Sequence, residues 1–186
     1  MKENWKPGTL VYPLPAVLVS CGTPEVNNLF TVAWTGTVCT NPAMLYISVR
    51  PERYSYSLIK QTMEFTVNLT TEKMAKATDF CGVRSGRDMD KWKATGLHRH
   101  PGHSISCPAV EESPISIECR VKSIIPLGSH DMFIAEVVNV MADTEYMEEN
   151  TGRFRLDKAH LINYSHGGYF AQGEQLGTFG FSVKKK

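Results

Sequence analysis

Six short apolar, β-branched runs separated by turn residues constrain this chain most. They predict strands over 16–20, 29–34, 44–49, 64–69, 115–123 and 132–140. Cys21-Gly22-Thr23-Pro24 breaks the first run, and Asn41-Pro42 turns the chain into the third. Ile115, Ile117, Cys119, Val121 and Ser123 alternate with polar residues, as in a half-buried antiparallel strand. The turn 126–130 joins this strand to the next as a hairpin or meander, and 156–164 holds one more short strand. The helical segments between them are short. Ser55 is placed to cap a helix over 56–61, Thr71 opens one over 71–80, and Asp88 caps one over 89–95 that Gly96 stops. Strands with short helical inserts suggest a β-barrel and not a doubly wound sheet. With 186 residues, no repeat and no linker-like stretch, the expectation is a single domain.

Composition narrows the function classes. A net charge of +1 gives no global basic field for nucleic acid or an anionic membrane. Only Lys184 to Lys186 is locally basic, as a frayed, solvated terminus would be. The five cysteines, Cys21, Cys39, Cys81, Cys107 and Cys119, form no CxxC pair, so a disulfide framework or zinc ribbon is not expected. The opening MKENWKPGTL lacks the apolar run of a signal peptide, and no 18 apolar residues run together. A cytoplasmic protein without a membrane span is the expectation.

The stretch from Asn28 to Ser57 carries the chemistry. It sets Trp34 and a Thr35-Gly36 corner after one strand, then delivers Arg50, Arg53 and Ser55 from the next strand to a helix start. Backbone N–H groups, a helix dipole, a hydroxyl and guanidinium forks together hold a phosphate well. An aromatic platform beside them suits a flat ring, so FMN is the candidate ligand. An ordinary helix cap flanked by surface arginines accounts equally for the R-P-E-R-Y-S string alone. Arg87 and Lys91, four apart, could add charge, although a solvated helix face with Asp88 and Asp90 is the simpler reading. His130, at a strand-entry turn, can reach a ligand at a barrel rim or close the turn by a backbone bond. His98, His100 and His103 could bind a transition metal if their loop folds back, but the Pro/Gly surroundings favour an exposed segment. The dinucleotide fingerprint G-x-G-x-x-G and the hydrolase signatures G-x-S-x-G and HExxH are absent. If the chain is an enzyme, a cofactor carries its chemistry.

Five motifs in order resemble the flavin reductase-like family of FMN-binding split barrels, in particular its flavoredoxin branch. They are Asn28 to Gly36 (N-x-x-T-x-A-W-T-G), Asn41 to Ser55 (N-P-x-M-x-x-x-S-V-R-P-x-R-Y-S), Phe65 to Leu69 (F-x-V-N-L), Cys81 to Lys91 (C-G-x-x-S-G-R-D-x-D-K), and the G-S-H-x-x-F-x-A-E-V run around His130. The resemblance runs from about residue 10 to 165, leaving a tail from about 170 to 186. It implies a mainly β, Greek-key split barrel that forms a homodimer with FMN in two clefts near the interface. It implies further that Asn28 and Trp34 sit by the flavin ring, and that backbone groups of Ala33, Trp34, Thr35, Gly36 and Thr37 meet its polar edge. Arg50, Arg53, Ser55 and Lys91 would surround the phosphate or ribityl chain, His130 would approach the flavin, and Tyr164 would close the site. The implied activity is that of an oxidoreductase taking hydride or electrons from NAD(P)H or a redox protein and passing them on. A non-catalytic flavin carrier is the alternative. The histidine-rich loop is not called for by the family pattern.

Overall fold

In the computed structural model residues 1–183 are described, so the basic run Lys184 to Lys186 lies outside the described residues. The strands are β1 (Leu14–Pro15), β2 (Val17–Gly22), β3 (Asn27–Val32), β4 (Thr35–Thr40) and β5 (Ala43–Val49). Helix α1 (Tyr54–Thr62) leads into β6 (Glu64–Leu69), and helices α2 (Ala75–Val83) and α3 (Lys91–Thr95) follow. The rest comprises β7 (Arg99–His100), β8 (Ala109–Val110), the long β9 (Ile115–Pro126) and β10 (Asp131–Ala142), then β11 (Ile162–Ser165) and β12 (Gly168–Ala171).

Seven strands form one antiparallel sheet in the order β3-β2-β6-β9-β10-β5-β4. Its two edge strands, β3 and β4, are consecutive in the chain and joined only by Ala33 and Trp34. A two-residue link cannot span an open seven-stranded sheet, so the sheet must curl until its edges meet. The Ser48 N–H donates to the Trp34 carbonyl at 2.9 Å, which fixes the link against β5. The result is a barrel split along that seam. The sequence places the strands at 44–49 and 64–69 within one residue of their ends.

The curled sheet explains why β2 is buried along its whole length. Val17, Val19 and Cys21 point into the barrel with Phe30, Ile47, Phe65 and Phe133. Leu18 faces the other way and packs with Leu29, Met74, Cys81 and Trp92 under α2 and α3. A strand covered on both faces reads as a continuous apolar run.

Several expectations are corrected. The Thr35-Gly36 corner is instead the start of edge strand β4, which no apolar alternation announces because its residues are exposed or half-exposed. The helix expected from Thr71 begins with a 3₁₀ turn at Glu72–Met74 and becomes α-helical at Ala75. Asp90, not Asp88, caps the third helix, accepting from the N–H groups of Trp92 at 2.9 Å and Lys93 at 3.3 Å. Gly96 ends that helix in the left-handed region, as expected, at φ 72°. The alternation in β9 fails at Ser116 and Glu118, which are both buried. Each is satisfied there: Ser116 donates to Asn68 Oδ1 at 2.7 Å, and Glu118 accepts from the His103 N–H at 2.6 Å and the Ser104 N–H at 2.8 Å. The short strand expected within 156–164 is β11, which pairs with β1 on one side and β12 on the other.

Gly22 and Gly128 separate two costs of a side chain. Both have positive φ, 101° and 95°, but an added Cβ at Gly22 would stand 2.1 Å from the Val26 carbonyl oxygen, whereas at Gly128 it meets nothing within 4 Å. Gly128→Ala should therefore cost about 1 kcal/mol of backbone strain, and Gly22→Ala at least about 2 kcal/mol, in denaturant unfolding. Equal losses would contradict this steric account.

Candidate functional site

Strand β5 ends at Val49, and the next four residues deliver Arg50 and Arg53 to the start of α1. Arg53, rather than Ser55, occupies the N-cap position, and its side chain makes no capping bond. Ser55 is the second residue of the helix, only 1% exposed, where its Oγ accepts from Asn28 Nδ2 at 2.8 Å. The hydroxyl therefore locks β3 to α1. The first N–H groups of α1, which have no carbonyl of their own helix to meet, lie at this end.

A cleft of about 380 Å³ opens here, lined by Asn28, Phe30, Arg50, Arg53, Ser55, Arg84, Arg87 and Lys91 among others. Five cations converge on it against one carboxylate, Glu52. Among the described residues only Arg50 of these five is ion-paired, with Glu52 at 3.3 Å, and that pair is exposed. The cations lean instead on carbonyls. Lys91 Nζ donates to the Cys81 carbonyl at 2.7 Å, Arg53 to the Gly82 carbonyl at 3.3 Å, and Arg87 to the Glu52 carbonyl at 2.9 Å. Cys81 and Gly82 belong to the last turn of α2, where the helix dipole is negative. Lys91 is only 3% exposed. Burial lowers its pKa below the usual 10.5, and Arg53 adds to the effect, opposed in part by Cys81. A buried ammonium needs more than one acceptor to offset its desolvation.

A smaller cleft of about 180 Å³ adjoins the first and shares Phe30, Arg50 and Arg53 with it. Ala33, Trp34 and His130 line it. The Trp34 and His130 rings lie 4.5 Å apart between centroids at 42°, and Trp34 remains 36% exposed. Partial burial holds the His130 imidazole below its usual 6.5, and the charge of Arg50 pushes it further down.

The fold thus brings together Asn28, Ala33, Trp34, Arg50, Arg53, Ser55, Lys91 and His130. Thr35, Gly36 and Thr37 continue past Trp34 on β4 and line neither cleft: Thr35 Oγ1 donates to the Tyr46 carbonyl at 2.6 Å, and Gly36 lies against the Tyr46 ring. Tyr164 on β11 also lies elsewhere, with Tyr12 and Tyr169 at centroid distances of 6.3 Å and 5.5 Å. Arg87 and Lys91 do not share a helix face, because α3 begins at Lys91, yet both reach the cleft. Phe30 and Arg84 were not read as site residues; the positive run Arg84-Ser85-Gly86-Arg87 was the available signal. In the histidine-rich loop, the His98 ring meets Glu112 at 2.6 Å, His100 its neighbouring Pro101 carbonyl and His103 the Ser104 hydroxyl. Among the described residues no three His, Cys, Asp or Glu side chains converge as a metal site. All five cysteines are free, and Cys39 alone is not buried.

The depressed His130 pKa has a definite sign. The unfolded chain takes up the proton first as pH falls through about 6.5, so His130 contributes a loss of stability below that pH. By NMR, His130 should titrate below 6.5 in the ligand-free protein, and Arg50→Gln should move its midpoint up. A midpoint unmoved by that substitution would contradict the charge coupling.

The flavin reductase like domain family matches residues 9–171. The fold superposes on a flavoredoxin of Desulfovibrio vulgaris (Miyazaki F) with a TM-score of 0.89 at 29% identity, covering 100% of both chains. A flavoredoxin from Methanosarcina acetivorans gives a TM-score of 0.89 at 24% identity, covering 99% of this chain and 98% of the other, which supports the fold alone. An NADPH-flavin oxidoreductase of Streptomyces viridifaciens is 27% identical over 68% of this chain and 66% of its own. With its split antiparallel barrel and a match spanning most of its length, this chain belongs to the flavin reductase like family.

Proposed function

We propose that the chain binds FMN and works as a flavoredoxin-like oxidoreductase, taking hydride from NAD(P)H or electrons from a redox protein and passing them to an acceptor. The observation that carries this reading is the adjacency of two unlike clefts, one cationic and one aromatic, that share Phe30, Arg50 and Arg53. A ligand with an anionic end and a flat ring matches that pair.

The residues present fit such a cofactor. Lys91 is a buried cation whose hydrogen-bonding capacity is met in part by one carbonyl, and four arginines face the same space. Arg50, Arg53, Ser55 and Lys91 are assigned to hold the phosphate, with the α1 N-terminus adding its partial positive charge. Each charge-assisted contact contributes about 1.5–3 kcal/mol. Asn28, Trp34 and His130 are assigned to the ring. Bound FMN supplies a ring system that accepts hydride or electrons and returns them. Near neutral pH the depressed His130 is an uncharged imidazole, able to donate one hydrogen bond and accept another. Arg50 and Arg53, which line both clefts, would favour negative charge on a ring bound there.

We assign the functional unit to a homodimer in the cytoplasm. What supports a dimer is the shallowness of the ring-binding cleft and the exposure of Trp34, which a second subunit can cover. No helix among the described residues is long and apolar enough to cross a membrane.

Purified protein should be yellow or become so with FMN, with one FMN per chain released on denaturation. Arg53→Ala should weaken FMN binding by about tenfold or more, and riboflavin binding by no more than about twofold, because riboflavin lacks the phosphate. Isothermal titration of the apo-protein measures both. A chain that stays colourless in excess FMN would defeat the reading, and equal losses for the two ligands would remove Arg53 from the phosphate.

A further inference from the structure

His130 is the last residue of the tip, 127–130, that joins β9 to β10. Within this tip the Leu127 N–H donates to the His130 carbonyl at 3.0 Å, and Ser129 Oγ lies 2.9 Å from His130 Nδ1. A Cβ added at Gly128 would meet nothing within 4 Å, so the tip is open on that side. Both ends of each of these bonds lie within the tip. They shape the turn but do not fix where it stands relative to Trp34.

The anchor lies one residue further on. Asp131, the first residue of β10, is paired with Val49 at the end of β5, and its Oδ2 accepts from the Tyr56 hydroxyl at 2.5 Å. That distance is at the short end of the range, about 2.5–2.7 Å, for a hydroxyl bonded to a carboxylate. The bond to Asp131 raises the Tyr56 pKa above the usual 10, and burial adds to the effect, so the phenol stays a donor. The Tyr56 ring packs edge-on against Phe133, 5.5 Å between centroids at 80°, which delivers the hydroxyl from a fixed direction. Phe133 itself is fully buried in the barrel. Tyr56 directly follows Ser55, whose own hydroxyl is bonded to Asn28 on β3. Two adjacent residues of α1 thus tie the helix to β3 and to β10.

Resting on the flavin reading above, we infer that Tyr56 is a positioning residue for the ring cleft: its hydroxyl, acting through Asp131, holds His130 against Trp34. The brace starts from the helix end that also carries Arg53 and Ser55. One end of α1 then sets both the cationic cleft and the reach of His130 into the aromatic one. Asp131 serves in this as a hydrogen-bond acceptor, a task that an uncharged oxygen can also perform. The charged groups that face His130 are Arg50, Glu52 and Arg53, from the segment between β5 and α1, and Asp131 is its neighbour on β10.

NMR of the ligand-free protein tests this. Cross-relaxation between the His130 and Trp34 rings, 4.5 Å apart between centroids, reports their contact. Tyr56→Phe keeps the aromatic ring and removes only the hydroxyl, and it should lose most of that cross-relaxation. Asp131→Ala should do the same, whereas Asp131→Asn, which keeps an acceptor oxygen, should retain it. The His130 titration midpoint supplies a sign. An imidazole released from partial burial and from Arg50 moves up towards 6.5, whereas loss of the Asp131 charge alone would move it down. Asp131→Ala should therefore raise the midpoint. Riboflavin, which lacks the phosphate, reads the ring cleft by calorimetry. Its dissociation constant should rise about threefold or more in Tyr56→Phe and Asp131→Ala, and stay within about twofold in Asp131→Asn. Undiminished cross-relaxation in Tyr56→Phe, or a lowered midpoint in Asp131→Ala, would overturn the inference and leave the flavin reading standing. Failure of FMN and riboflavin to bind the unmodified protein would defeat the flavin reading and this inference together.

Discussion

Five cations around one cleft, with only Arg50 ion-paired among the described residues, form the interaction on which the rest of the site depends. Like charges gathered without counter-ions repel, and Lys91 is buried as well. The arrangement persists because the last turn of α2 turns the Cys81 and Gly82 carbonyls toward Lys91 and Arg53. Carbonyl dipoles offset part of the repulsion without neutralising the charge. A folded chain is left with an electrostatic deficit that an anion relieves. Binding and stability are then linked, since a ligand that binds only the folded state stabilises it.

The barrel puts that deficit beside a ring-sized shelf. The Ala33–Trp34 link is short because it joins the two edges of one curled sheet, and its carbonyl is held by the Ser48 N–H. Trp34 is thereby fixed at the seam, beside the end of β5 from which Arg50 and Arg53 emerge. The Asn28–Ser55 hydrogen bond joins β3 to α1 across the same cleft. Strand register and helix placement thus set the spacing between aromatic and cationic parts.

Legibility in the sequence followed the burial pattern. Glu64–Leu69 was readable to the residue because its run is bounded by turns, and β2 was readable as a strand because both of its faces are covered, although it runs on through Cys21 and Gly22, which were read as its break. Strand β4 was missed because an edge strand of threonines, glycine and cysteine presents no apolar period. Ser55 was given the wrong local role, since a serine near a helix start reads alike at the cap and two positions past it. Arg50 and Arg53 were legible as anion-binding candidates from the local string, but Lys91 was joined to them only through the ordered motifs, because tertiary packing brings α1 to the turn before α3. The burial of Lys91 and the participation of Phe30 carried no local signal, whereas Arg84 had only its place in the run Arg84-Ser85-Gly86-Arg87. Thr35, Gly36, Thr37 and Tyr164, assigned by resemblance, stand outside the two clefts that the other residues line.

The central claim is that the buried, unpaired charge of Lys91 exists to hold an anion, and Lys91→Met tests it most directly. Thermal unfolding of the apo-variant should occur at or above the temperature of the unmodified apo-protein, because a buried charge has been replaced by an apolar chain of similar length. FMN at about a hundred times its dissociation constant should stabilise the unmodified protein by about 2.7 kcal/mol, and the same concentration should stabilise the variant far less. A variant that is less stable without ligand yet gains as much from FMN would contradict the account and make Lys91 a structural residue.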